Sequence, residues 1–176
     1  MIREHILERR KDSCVFILTP LSLTKQWHQE LTERFHLEDI LEGCTEPEDQ
    51  LIHIGGYKDV LKLSLEFGQP SMIVIDEAHQ LSPFAWSEKQ SEKFVYKEIA
   101  TSCHNAEVAL LLSGTPLLGN ERDYLAMLHC VDAESHQLSD TGLEVFSNKL
   151  KQQSRLLAIT VRWTRAMIMK RSNCSR

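Results

Sequence analysis

The stretch SMIVIDEAHQLS runs from Ser71 to Ser82, and its residues 72–75 are apolar without interruption before Asp76, Glu77, Ala78 and His79 follow at once. A short, β-branched run with no polar alternation is the pattern of a strand covered on both faces. That is the environment of a parallel sheet in an α/β protein. Two adjacent carboxylates directly after such a strand stand at the carboxyl edge of the sheet, where open α/β folds bind their ligands. There an aspartate can orient a magnesium ion through its water shell, and the neighbouring glutamate can polarise an attacking water. Taken alone, the pair also fits an ordinary helix start, with Asp76 as cap and Glu77 in the first turn.

Working outward, CVFILTP (14–20) and VALLLSG (108–114) repeat the pattern of apolar run and polar, turn-forming end. A further strand is expected within QLIHIGG (50–56), stopped by Gly55-Gly56, and a short one at Leu37–Leu41. Helices are expected between them. REHILERRKD (3–12) reads as the last turns of one, with Ile6 and Leu7 inside. The second begins at a Ser22 cap and carries Leu23, Trp27, Leu31 and Phe35 on one face. Residues 57–68 form the third, closed by Gly68. Residues 84–103, 120–130 and 140–158 complete the set. Strands alternating with helices predict an α/β fold with a mostly parallel sheet and helices on both faces.

Composition narrows the class. Over 176 residues, 42% apolar and 26% charged content supports a folded core rather than disorder, and no apolar run is long enough for a membrane helix. The start has no signal-peptide core. Cys14, Cys44, Cys103, Cys130 and Cys174 are odd in number and never spaced C-x-x-C, which predicts reduced thiols and a cytoplasmic protein. The net charge of −5 is unevenly spread. Residues 1–144 hold 12 Lys/Arg against all 25 Asp/Glu, whereas residues 145–176 hold 8 Lys/Arg and no acid. A basic end can contact phosphates, and it also fits a solvated tail.

Together, ILTPLSLTKQW (17–27), VIDEAH (74–79) and LLLSGTPLLGNERDYLAMLHCVD (110–132) resemble the first RecA-like domain of superfamily-two helicases and DNA translocases. The resemblance is to the Swi/Snf-like branch and, within it, to bacterial RapA-type ATPases. It covers residues 1–158, leaving 159–176 as a basic tail. It implies a P-loop NTPase fold, ATP and magnesium as cofactors, and double-stranded DNA as partner. It implies that Asp76 binds the metal, that Glu77 activates water, and that His79 links them to the coupling motif of Ser113, Gly114 and Thr115. Thr19, Pro20, Gln26 and Trp27 are implied to lie on or behind the loop that touches one nucleic-acid strand, through its backbone and without sequence preference.

The chain departs from that pattern at both ends. No G-x-x-x-x-G-K-[ST] phosphate loop precedes these motifs. The double glycine, followed by Tyr57-Lys58, stands in the wrong order. The second RecA-like domain, which would close the cleft, is not in the sequence either. The expectation is an incomplete piece of an ATP-driven motor, as a truncation, frameshift or gene fragment would produce, inactive alone and lacking the phosphate-loop strand beside Val108–Leu112. The alternative is a catalytically dead nucleic-acid-binding module or a non-functional remnant.

Overall fold

The computed structural model describes residues 1–9, 13–35, 37, 51–114 and 121–152. In chain order these form α1 (Ile2–Arg9), β1 (Val15–Leu18), α2 (Thr24–Glu33), β2 (Ile52–Gly55), α3 (Val60–Phe67) and β3 (Met72–Ile75). A four-residue helix α4 (Ser82–Ala85), α5 (Gln90–Asn105), β4 (Val108–Leu111) and α6 (Glu121–Val131) follow. The chain divides into two units, Met1–Leu138 and Ser139–Arg176.

The four strands make one sheet in the order β2-β1-β3-β4, and every pairing is parallel. The sheet is therefore the one that the unbroken apolar runs predict. Because side chains alternate along a strand, β1 and β3 each feed both faces. Phe16, Leu18, Ile73 and Ile75 pack with Val60, Leu63, Ile99 and Ala126 on one face, contributed by α3, α5 and α6. Val15, Ile17, Met72 and Val74 pack with Ile6 and Leu31 on the other, contributed by α1 and α2. All eight strand residues are at most 1% exposed, so β1 and β3 form the centre of the sheet. β4 stands at an edge, with all four residues half-buried.

Several local expectations are corrected. Ser22 does not cap α2: it lies inside a 3-10 turn, Leu21–Leu23, and no side chain caps the helix that follows. The Thr24 hydroxyl instead donates back to the Leu21 carbonyl at 2.9 Å. Phe35, the last residue of the predicted stripe, is exposed, as is Leu7 on α1. The single helix expected over 84–103 is two. Ser87 separates them by accepting the Lys89 amide at 3.0 Å and donating to Glu92 at 2.6 Å, which starts α5 afresh. The strand expected at Leu37–Leu41 falls outside the described residues beyond Leu37. So do Thr115, the helix expected over 140–158 beyond residue 152, and the tail 159–176.

The second unit is described over residues 139–152. Its residues 140–152 are helical, and the Ser139 hydroxyl accepts the Gly142 amide at 3.0 Å to cap the start.

Candidate functional site

Four strand ends converge at one edge of the sheet. The backbone ties them: Asp76 N–H donates to Leu18 O at 2.9 Å, Thr19 N–H to Gly55 O at 3.0 Å, and Ala78 N–H to Leu112 O at 2.8 Å. Segments that follow β1, β3 and β4 are thus held side by side before any side chain acts.

Asp76 is the hub. Its Oδ2 accepts the Trp27 indole N–H at 2.7 Å and the Thr19 hydroxyl at 3.4 Å, while Oδ1 accepts the Glu77 amide at 2.9 Å. Thr19 is fully buried. Two of the residues expected near a nucleic-acid strand therefore turn their polar atoms inward, to the carboxylate. Gln26 stays exposed and donates to Glu30 at 3.0 Å along α2, and Pro20 opens the 3-10 turn.

Glu77 adopts the left-handed conformation, φ 48° and ψ 44°. This turn sends its side chain away from that of Asp76 and toward His79, whose Nδ1 is 3.2 Å from Glu77 Oε2. The same nitrogen is 3.1 Å from Ser113 Oγ, at the end of β4. Gly114 is adjacent, since a Cβ built there would lie 4.0 Å from Glu77 Oε1. Asp76, Glu77, His79, Ser113 and Gly114 thus form one connected group across two strand ends. Thr115, expected with them, is outside the described residues.

Tyr57 belongs to the group and was missed. Its hydroxyl donates to Asp76 O at 2.6 Å and lies 3.2 Å from Glu77 O, bracing the turn from the end of β2. Burial pushes the phenol well above its ordinary value, and the Asp76 and Glu77 charges add to the shift, so it stays a donor. A signal was present: Gly55-Gly56-Tyr57 is a fourth strand end, readable as the same edge of a parallel sheet. A Cβ at Gly56 would come within 2.7 Å of the end of the exposed Leu21 side chain, which would have to shift. Next to Thr19 and Tyr57 opens a cleft of about 310 Å³, lined also by Pro20, Leu21, Lys58, Asp59 and Phe84.

The fit to magnesium and ATP is uneven. A carboxylate offers about four lone-pair directions, and protein donors already engage Asp76 through three hydrogen bonds. What remains suits a contact to a hydrated divalent cation rather than a full coordination cage. No group of three or more His, Cys, Asp or Glu among the described residues could cage a metal. For a triphosphate, the 176 residues hold no G-x-x-x-x-G-K-[ST] segment. The residues present fit the metal-and-water side of a nucleotide centre and not its phosphate cradle.

Comparison with known proteins identifies the family and the fold. A family described as "Type III restriction enzyme, res subunit" matches residues 1–118. The RNA polymerase-associated protein RapA of Proteus mirabilis is 28% identical over 148 residues, covering 75% of this chain and 15% of that protein. The protein of the same name from Histophilus somni is 26% identical over 152 residues, again covering 75% and 15%. The chain thus spans about 15% of the length of the curated relatives it matches. Among solved structures, the Sulfolobus solfataricus SWI2/SNF2 ATPase core in complex with dsDNA superposes with a TM-score of 0.58 at 18% identity. The match covers 82% of this chain and 30% of that one. The fold is RecA-like.

Proposed function

The chain belongs to the family described as type III restriction enzyme, res subunit, and from that membership we propose that it is the metal-and-water half of the first RecA-like domain of a Swi/Snf-like, DNA-dependent ATPase. The observation that carries this reading is the Asp76 hub. One carboxylate at the end of a central strand receives bonds from the segment after β1, and its neighbour Glu77 is connected through His79 to the end of β4. In this reading Asp76 meets the hydrated magnesium ion and Glu77 holds the attacking water. His79 and Ser113 with Gly114 and Thr115 relay the state of that centre to the segment after β4. ATP binding needs a phosphate cradle supplied by residues outside these 176, and closure needs a second RecA-like domain. The partner proposed is the backbone of duplex DNA, met by the cleft beside Thr19 and Pro20 and by the basic residues after 144. The place proposed for this work is the cytoplasm; no described helix is long and apolar enough to cross a membrane.

A second reading, a nucleic-acid-binding module without catalysis, is favoured by the acid-free stretch 145–176. Both readings predict weak, sequence-insensitive binding of duplex DNA. It should fall by a factor on the order of 10³ or more between about 50 and about 200 mM salt if six or more phosphates are contacted. Fluorescence anisotropy with two unrelated duplexes tests this on the chain and on a form ending at residue 158. Loss of most affinity in the shorter form assigns binding to the tail, and retention assigns it to the cleft. Absence of binding by the full chain at low salt overturns the DNA reading.

A further inference from the structure

A second cavity, a groove of about 370 Å³, opens along α5 and shares no lining residue with the cleft at the strand ends. The short helix α4 gives Phe84 to the cleft and Ala85 to the groove. One wall of the groove is polar. Lys93, Lys97, Thr101 and His104 follow one another along α5 at intervals of three or four residues, the spacing that puts side chains on one face of a helix. Its apolar part comes from Ala85, Ala100 and Leu138, which belong to or pack against one of the two core clusters. The imidazoles are fixed: His104 Nε2–H donates to His129 O at 3.0 Å, and His129 Nδ1–H donates to His136 O at 2.8 Å. The His129 ring, from α6, lies nearly parallel to that of Tyr96, with centroids 6.1 Å apart.

The charge of this groove runs against that of its surroundings. Residues 1–144 hold 12 Lys/Arg against 25 Asp/Glu, yet no acid lines the groove. Lys93 and Lys97 are exposed, and neither forms an ion pair with a described residue. The helix offers them no acid at the distances that pair on its surface. Apart from each other, their neighbours three and four residues away are Lys89, Gln90, Phe94, Tyr96, Ala100 and Thr101. Glu92 is engaged by the Ser87 hydroxyl at 2.6 Å and by Lys89 Nζ at 3.1 Å. Glu98 directly follows Lys97 and so projects from another face. Like charges four residues apart destabilise a helix, and an anion between them would relieve that repulsion. An extended polyanion would also meet the net −13 of residues 1–144, whereas a small anion meets chiefly the two lysines.

We propose that this groove binds a small organic anion. Its phosphate or carboxylate group lies between Lys93, Lys97 and Thr101, and its apolar body rests on Ala85, Ala100 and Leu138. An apolar floor with a few convergent polar groups is the general make-up of a small-ligand site. The inference stands apart from the ATPase reading, since the groove contains none of the residues of the Asp76 group.

The test titrates the ¹⁵N-labelled chain with phenyl phosphate and with benzoate, and separately with inorganic phosphate and with phenol. At least one of the two organic anions should give saturable amide shifts at Lys97, Thr101, His104 and His129, and the two arms tell phosphate from carboxylate. Lys93→Gln with Lys97→Gln should weaken that binding about fivefold or more. Lys25→Gln with Lys62→Gln, which removes the same charge from α2 and α3, should leave it within about twofold. Inorganic phosphate and phenol should each bind more weakly than phenyl phosphate. Absence of saturable shifts in the groove with both organic anions overturns the inference, and so does equal weakening by the two double variants. Inorganic phosphate that matches phenyl phosphate overturns the assignment of an organic ligand. If the Lys93 and Lys97 variant loses its cooperative unfolding transition, the shift map of the parent decides: shifts confined to the groove support the site, and scattered shifts overturn it.

Discussion

Glu77 is the one non-glycine residue with positive φ among those described. For an L-residue that conformation costs about 1–2 kcal/mol, and it is maintained by neighbours that over-determine the turn. Tyr57 bonds the carbonyls on either side of the Asp76–Glu77 junction, and Ala78 N–H is bound by Leu112 O. Around this turn Asp76 accepts from Trp27 and Glu77 lies against His79. Strain of this kind collects where geometry serves a function. Glu77→Gly should therefore be more stable than Glu77→Ala by about 1 kcal/mol, since glycine removes the steric cost and alanine keeps it. Urea unfolding of the two variants measures the difference. Equal midpoints would mean that the turn carries no strain.

At the scale of the element, α5 and β4 each contain a local conflict. Ser102 on α5 is 1% exposed, and its hydroxyl has no hydrogen-bond partner among the described residues. A buried unsatisfied hydroxyl costs on the order of 1 kcal/mol or more, and alanine is also the better helix former. Ser102→Ala should raise stability by about 1 kcal/mol in thermal or urea unfolding; a loss would reveal a bonded partner. β4 pairs only with β3 among the described residues. Val108 and Leu112 donate their amides toward β3, to Ser71 O and Ile75 O, so alternation turns the Ala109 and Leu111 amides outward. An apolar edge with unpaired donors is a template for another chain. The protein should self-associate with rising concentration in light scattering. Ala109→Pro, which removes an outward donor and spares the β3 ladder, should reduce this. A parent that stays monomeric would show that the edge is covered.

At the scale of the molecule, the proposed reading puts the metal-and-water side of a nucleotide centre on a parallel sheet, while the 176 residues hold no G-x-x-x-x-G-K-[ST] segment. Positioning and charge neutralisation supply most of the rate of phosphoryl transfer, so connected carboxylates without a held triphosphate leave the reaction unassisted. Residues 1–176 alone should show no DNA-stimulated ATP hydrolysis above background in a phosphate-release assay. Turnover that disappears in Glu77→Gln would overturn this. The charge asymmetry acts at the same scale: net −13 over residues 1–144 repels a polyanion, and net +8 over 145–176 attracts one.

What the sequence determined by itself was whatever a local run can encode. MIVI and VFIL are apolar at every position because each strand is covered on both faces. That suffices to call a parallel sheet and to place Asp76 and Glu77 at its carboxyl edge. Tyr57 escaped the same logic because its glycines read as a stop rather than a fourth strand end. The order β2-β1-β3-β4, the bond from Trp27 to Asp76 and the brace from Tyr57 came only with tertiary structure. Hydrophobic periodicity says which face of a strand is buried and nothing of which strand lies beside it. A hydrogen bond spanning 49 residues leaves no trace in either local pattern. Even the left-handed turn at Glu77 was set from outside, by a tyrosine just after β2 and a carbonyl just after β4, against the residue's own preference.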